Sequence, residues 1–191
     1  PQIRNIGTIG GNTCNGVTSA DSASTLFAWD AVMEITGPQG VRQVPIQQFY
    51  IKAGQVALQH NELETAILIK KESYEGYRGH YIKYAMRNAM DIATCGCSVN
   101  VKLSADKKYI EDVRIAYGVA GPIPMRAPSA EAAAKGKPVS METVEAFGEA
   151  ALQDVNPRTS WRATKEFRLH LTRELAMRAL KESILRSGGT L

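Results

Sequence analysis

The stretch from Ile3 to Asn12 constrains this chain more than any other, because it places two adjacent glycines between a threonine and an asparagine. Glycine lacks a Cβ and takes dihedral angles closed to other residues, so Gly10-Gly11 predicts a tight turn with bare backbone N–H groups. Successive N–H groups in such a turn form a concave anion site, a nest, that suits a phosphate. Thr8 adds a hydroxyl donor and Asn12 an amide donor. A tight turn without any ligand is the alternative interpretation of an isolated glycine pair.

An acidic residue follows this turn. Asp21 lies thirteen residues beyond Thr8 and opens a predicted helix over residues 20–31. A carboxylate at that position either caps the helix or accepts hydrogen bonds from the hydroxyls of a ligand. The sequence leaves both roles open.

The run from Ile3 to Asp21, IRNIGTIGGNTCNGVTSAD, resembles the second flavin motif in the FAD-binding subunit of molybdenum hydroxylases. The match includes the Arg-Asn pair, TIGGN and the later Ser-Ala-Asp, and it continues to about Ser187. The resemblance implies an α+β fold with two domains. Residues 1–73 would form the second FAD-binding subdomain, and residues 74–191 a flavoprotein C-terminal domain like that of CO dehydrogenase, with a small antiparallel sheet covered by helices.

The family has a preceding subdomain that carries the other glycine-rich flavin loop, and this loop is not found in the sequence. Because the chain starts at Pro1 and enters the motif almost at once, we expect a fragment or a chain cleaved upstream. The missing loop leaves open whether the chain binds FAD by itself.

The resemblance also implies which residues hold the flavin. The five residues from Thr8 to Asn12 are expected at the FAD diphosphate. Lys83 stands in a Lys-x-x-x-Arg context followed by Asp-Ile-Ala, where a cation would stabilise the negative charge that develops on the flavin pyrimidine ring. Glu64 matches a position that contacts FAD through backbone atoms, and residues 85–90 match a loop expected to control nicotinamide access. The residues expected to contact FAD are Thr8, Ile9, Gly10, Gly11, Asn12, Asp21, Glu64 and Lys83.

As to activity, the resemblance implies an oxidoreductase subunit, with xanthine dehydrogenase as the preferred member of the family. Electrons would pass from iron–sulfur clusters in a small subunit through FAD in this chain to NAD. Purine oxidation would take place at a molybdopterin cofactor in a large subunit, so we expect a heterotrimer that is able to dimerise. The alternative is a non-catalytic docking module of such a complex that does not bind flavin by itself.

Other chemistries find little support in the sequence. The three cysteines are too few for an iron–sulfur cluster with four thiolates, so Cys95 and Cys97 are expected to be buried as small hydrophobic residues. The three histidines lack metal-binding spacing and no nucleophile motif is present, so we expect no metal site and no catalytic side chain. This pattern suits a flavoprotein, because the cofactor carries the redox chemistry.

Charge and hydropathy limit the expected partners. The net charge is +4, but glutamates are interspersed among the basic residues of the last third. This pattern favours a solvated helix face or a subunit contact over nucleic acid. No apolar run approaches the roughly 20 residues of a membrane span. With no signal peptide and few cysteines, we expect a reducing, cytoplasmic setting.

Hydrophobic periodicity predicts the remaining elements. The predicted strands are a hairpin at 32–36 and 41–46, a buried strand at 66–69, and an antiparallel sheet at 80–84, 98–103 and 110–117 with one buried and one polar face. The predicted helices are a short helix or loop at 46–50, then 130–135 capped by Ser129, 141–152 capped by Ser140, and 159–186 with an apolar stripe from Phe167 to Ile184.

Overall fold

The structure is a computed structural model that describes residues 2–191. It confirms the α+β class. The helices in this range are α1 (Gln2–Ile6), α2 (Ile9–Cys14), α3 (Ala23–Ala28), α4 (Ile46–Phe49), α5 (Lys71–Tyr74), α6 (Pro128–Ala134), α7 (Met141–Ala151) and α8 (Lys165–Arg186). The strands are β1 (Val32–Gly37), β2 (Gly40–Pro45), β3 (Tyr50–Lys52), β4 (Gln55–Val56), β5 (Leu63–Leu68), β6 (Arg78–Tyr84), β7 (Cys95–Leu103), β8 (Ile110–Gly118) and β9 (Met125–Arg126).

The first sheet contains the predicted hairpin. Strand β1 pairs with β2 on one side and β5 on the other, both antiparallel, and β3 and β4 form a separate two-stranded ribbon. The hairpin closes at Gly40, whose φ of +107° lies in the region that favours glycine. Met33 and Ile35 of β1 are fully buried in one cluster with Phe27 of α3 and Phe49 of α4. Ile67 of β5 packs against this cluster, which places β5, and with it Glu64, on the same core as α3.

The second sheet has the antiparallel order β6-β7-β8-β9. Its first face carries Cys97, Val99 and Val101 of β7, which are buried in one cluster with residues of α6, α7 and α8. Helix α8 packs across β7 and β6, and α7 packs on α8. Cys95 and Cys97 are buried in this cluster, as the sequence predicted.

The sequence predicts that this sheet has one buried face and one polar face, and the opposite face of β7 differs from that prediction. Its residues are polar, but Ser98 and Asn100 are buried, because α3 lies over this side of the sheet. Asn100 Nδ2 donates to Ala28 O at 2.9 Å, at the end of α3. The polar residues therefore mark a packed layer between α3 and the sheet.

The helix ends agree with the sequence only in part. Ser140 caps α7 as predicted, since its Oγ accepts the N–H three residues further on. Ser129 does not cap α6, because it lies inside the helix and its N–H and Oγ donate to Asp154. Helix α8 begins at Lys165 rather than at residue 159, with a threonine cap before it.

The apolar stripe of α8 is buried from Leu171 to Ile184, as predicted. Phe167, at the start of the stripe, is instead exposed beside Tyr84.

The division of the chain into two domains between residues 73 and 74 stays a prediction. Ala116 of β8, in the predicted second domain, is buried in the same apolar cluster as residues of α3 and β1 in the predicted first domain. No helix among residues 2–191 combines the length and the apolar character needed to cross a membrane.

Candidate functional site

The glycine-rich stretch forms the first turn of a short helix, which corrects the predicted bend. Helix α2 begins at Ile9, and Thr8 is its N-cap, with Thr8 Oγ1 accepting a hydrogen bond from Gly11 N at 2.9 Å. Gly10 and Gly11 are both helical and neither has a positive φ, so neither uses the conformational freedom of glycine. A threonine cap satisfies one of the free N–H groups of a helix start, and this favours a helix over a nest.

The fold itself does not require a glycine at position 10. A Cβ placed there would meet only Glu64 Oε1 within 4 Å, at an ordinary distance of 3.6 Å. A Cβ at Gly11 would lie 3.0 Å from Thr8 Oγ1, so Gly11 leaves room for the cap. The N–H groups of Ile9 and Gly10 make no hydrogen bond with residues 2–191, as is usual in a first helical turn. This uncovered turn therefore fits the close approach of an anionic group such as a diphosphate.

Glu64 of β5 fastens α2 to the first sheet. Its two carboxylate oxygens lie 3.0 and 2.9 Å from the buried Thr13 Oγ1, and Cys14 Sγ donates to the same carboxylate at 3.2 Å. Burial and Glu64 raise the pKa of the Cys14 thiol to about 11, so the thiol stays protonated. The resemblance implied only a backbone role for Glu64, and the structure adds a side-chain role in holding α2.

Asp21 and Lys83 form an ion pair between distant parts of the chain. Lys83 Nζ lies 2.7 Å from Asp21 Oδ2, and it also donates to Asp91 O at 2.7 Å. Asp21 does not cap α3, which begins at Ala23 after a residue without a side-chain cap. Its carboxylate is instead the counterion of Lys83, a role that neither sequence alternative named.

Asp91 organises the loop that follows Lys83, and sequence reasoning missed it. Its carboxylate accepts hydrogen bonds from three backbone N–H groups of this loop, at 2.8, 3.0 and 2.9 Å. Desolvation opposes ionisation, but these donors hold the pKa of the Asp91 carboxyl below its ordinary value. Since the Asp91 carbonyl also holds Lys83, one residue fixes both the loop and the lysine. The Asp-Ile-Ala sequence was the available signal.

Asn12 links α2 to the ion pair. Its Oδ1 accepts hydrogen bonds from both the N–H, at 3.2 Å, and the hydroxyl of Ser22, the residue after Asp21. The Asn12 amide therefore keeps its NH₂ group as a donor. The eight residues predicted to contact FAD thus belong to one set connected by hydrogen bonds and chain neighbours. Within residues 2–191 no three His, Cys, Asp or Glu side chains group together in a way that suits a metal ion.

Comparison with known families assigns this chain. Residues 80–183 match the family described as the CO dehydrogenase flavoprotein C-terminal domain, and residues 1–70 match the FAD binding domain in molybdopterin dehydrogenase. The first match alone spans more than half of the chain. The chain therefore belongs to the family of FAD-binding medium subunits of molybdenum hydroxylases, which confirms the resemblance seen in its sequence.

Individual relatives agree with this assignment. Over its full length the chain is 46% identical to the xanthine dehydrogenase FAD-binding subunit of Escherichia coli O157:H7, of which it covers 65%. Over 95% of its length it is 29% identical to the glyceraldehyde dehydrogenase medium chain of Sulfolobus acidocaldarius, of which it covers 63%. A solved carbon monoxide dehydrogenase from Hydrogenophaga pseudoflava matches 98% of the chain, with a TM-score of 0.88 and 30% identity, and the match covers 63% of that solved chain. The chain thus spans slightly less than two thirds of the length of these relatives.

Proposed function

We propose that this chain is the flavin-binding part of a xanthine dehydrogenase-like molybdenum hydroxylase subunit. In this proposal it passes electrons from iron–sulfur clusters through FAD to NAD during purine oxidation. The observation that carries the proposal is the connection of the uncovered α2 turn with the Asp21–Lys83 pair. The 46% identity to a xanthine dehydrogenase FAD-binding subunit supports the choice of substrate class.

The α2 turn would hold the diphosphate of FAD. The N–H groups of Ile9 and Gly10 are the free backbone donors, and the Asn12 NH₂ group adds a side-chain donor. Thr8 accepts from Gly11 with its hydroxyl oxygen, so its own O–H also remains able to donate. Negative charge is favoured at a helix start, which supports a diphosphate there.

Lys83 would act on the redox end of the cofactor. Bound FAD supplies the hydride and one-electron chemistry. Two of the three N–H donors of the Lys83 ammonium are taken by Asp21 and Asp91, which leaves one donor for a ligand acceptor. Because both partners hold the ammonium group in place, it stabilises developing negative charge without having to reorganise. The loop at residues 85–90, fixed by Asp91, would control the access of nicotinamide.

The iron–sulfur clusters and the molybdopterin belong to partner subunits in this proposal. Burial raises the pKa of the Cys95 thiol to about 12 and that of Cys97 well above its ordinary value, which disfavours the thiolates that a cluster needs. Assembly with an iron–sulfur subunit and a molybdopterin-binding subunit follows, as a cytoplasmic heterotrimer that is able to dimerise. All three enzymes named above are dehydrogenases, which agrees with an oxidoreductase complex.

Purification of the full-length protein with its partner chains tests this function. We expect a yellow complex that releases FAD on denaturation and forms NADH when xanthine and NAD are supplied. The measurements are the absorbance spectrum, the flavin content and NADH formation. A colourless complex would support the docking module instead. A yellow complex that is not reduced by xanthine, or that reduces only other acceptors, would contradict the assigned substrate or the assigned acceptor.

A further inference from the structure

A buried arginine in the first turn of α8 has no acidic partner in the described part of the chain. Arg168 is 3% exposed, and its guanidinium donates to Thr94 O and, at 2.9 Å, to Ser160 Oγ. Both acceptors are uncharged. Burial lowers the pKa of Arg168; Cys95 opposes this in part, the nearby charges of Arg158 and Arg162 add to it, and no carboxylate contributes. A buried cation without a counterion is costly, so this part of the surface carries uncompensated positive charge.

Unsatisfied polar atoms gather at the same place. Thr94 Oγ1, Arg162 Nε and Arg168 Nε are buried without a hydrogen-bond partner, and Tyr50 Oη is the remaining such atom among residues 2–191. A buried polar atom without a partner costs free energy, and natural structures contain few. Three of the four such atoms thus lie beside these arginines, where the polar groups among residues 2–191 do not fully satisfy one another.

Exposed aromatic side chains lie next to two of these arginines in the chain. Trp161 is 78% exposed, and the Arg162 guanidinium lies 4.2 Å from the centre of its ring. The exposed rings of Tyr84 and Phe167 lie 6.0 Å apart, and Phe167 precedes Arg168 in α8. Tryptophan, tyrosine and arginine are the residue types that dominate binding energy in protein interfaces. We call Tyr84, Arg158, Trp161, Arg162 and Phe167 the arginine–aromatic surface.

We propose that the arginine–aromatic surface docks an acidic segment of a second protein chain. The carboxylates of that segment supply the counterions that Arg158 and Arg162 lack, and its apolar side chains cover Trp161 and Phe167. A free inorganic anion would neutralise the arginines but leave the aromatic rings in water. A nucleic acid is disfavoured, because Arg162 already covers one face of Trp161 and exposed Glu166 lies beside the surface.

The position of this surface gives the docking a structural consequence. The N–H of Thr94, whose carbonyl accepts from Arg168, donates to Tyr84 O at 2.7 Å. Tyr84 directly follows Lys83 at the end of β6. A partner held by the arginine–aromatic surface therefore lies next to the strand end that carries the Asp21–Lys83 pair. The docking proposal itself does not depend on a bound flavin.

Chemical crosslinking of the full-length protein in the assembly isolated from its own cells tests the proposal. Lys165 is exposed between Arg162 and Phe167, and a carbodiimide joins lysine amines to carboxylates in direct contact. We expect mass spectrometry to find Lys165 crosslinked to an aspartate or glutamate of a second chain. We also expect hydroxyl-radical oxidation of Trp161 to be about tenfold slower in the assembly than in the isolated subunit, because interface residues are shielded from water.

Matched variants separate docking from general charge effects. The double variant Arg158→Glu with Arg162→Glu is expected to lose the crosslink and the protection of Trp161. Arg178→Glu, at an exposed position further along α8, is expected to change neither. Circular dichroism checks that each variant is folded, and the neutral pair Arg158→Gln with Arg162→Gln replaces the first variant if it is not.

Three results would overturn the proposal. The first is an assembly in which Lys165 forms no crosslink and Trp161 reacts as fast as in the isolated subunit. The second is a crosslink to a carboxylate of the same polypeptide, which would make the occupant intramolecular. The third is protection of Trp161 that disappears on nuclease treatment, which would assign the surface to nucleic acid.

Discussion

Replacing Gly10 by valine is expected to lower the affinity of the full-length protein for FAD by about 100-fold, or ~2.7 kcal/mol. A Cβ at Gly10 has room, since Glu64 Oε1 would lie 3.6 Å away, and the backbone there is already helical. The fold therefore tolerates the side chain, at a helix-propensity difference within about 1 kcal/mol. The branched side chain would instead cover the N–H groups of Ile9 and Gly10, where we propose that the diphosphate binds.

Fluorescence titration with FAD measures this loss, and a thermal melt shows whether the variant stays folded. Asn15→Val, at the other end of the same short helix, is the matched control and should bind FAD like the wild type. Equal FAD affinity of the Gly10→Val variant and the wild type would show that the α2 turn does not hold the cofactor.

Replacing Lys83 by methionine is expected to slow the reduction of the bound flavin by about 100-fold, a loss typical of a removed charge-stabilising donor. The affinity for FAD should change by less than about 10-fold, because the change leaves the proposed diphosphate site at the α2 turn intact. Methionine keeps the length of the side chain but removes the ammonium group that Asp21 and Asp91 hold. It also leaves the Asp21 carboxylate without its counterion, so negative charge beside the flavin is further disfavoured.

Stopped-flow kinetics and the flavin reduction potential measure the effect of this change in the assembled enzyme. Adding Asp21→Asn to Lys83→Met should recover part of the rate, because the two residues are paired and their effects are not additive. Lys102→Met, which removes a lysine paired with Glu111 on the sheet surface, is the control. An unchanged rate and an unchanged potential in the Lys83 variant would exclude this lysine from the chemistry.

Local patterns in the sequence were enough to predict much of the fold. The hairpin at Gly40, the long strands β7 and β8 and the buried stripe of α8 follow from periodicity and turn residues. The alternation in β7 predicts a polar face that includes Ser98 and Asn100, but alternation does not report what packs on that face. Only the placement of α3, far away in the chain, buries them.

Prediction of the candidate site from the sequence is limited in the same way. Family motifs indicate the candidate residues, but the spacing of these residues does not predict their contacts. Asp21 meets Lys83 across 62 positions, and Thr13 meets Glu64 across 51, so both pairs depend on where β5 and β6 lie. The helical form of the glycine-rich turn was missed for a different reason. Two glycines indicated special dihedral angles, whereas the cap by Thr8 gave an ordinary helix start with an uncovered backbone.

A crystal structure of the full-length subunit grown with FAD tests the proposed flavin site most directly. We expect electron density for the diphosphate against the N–H groups of Ile9 and Gly10, and the flavin ring beside the Lys83 ammonium. Density for FAD elsewhere on the protein, with the α2 turn facing solvent and the Asp21–Lys83 pair far from the ring, would contradict the assignment.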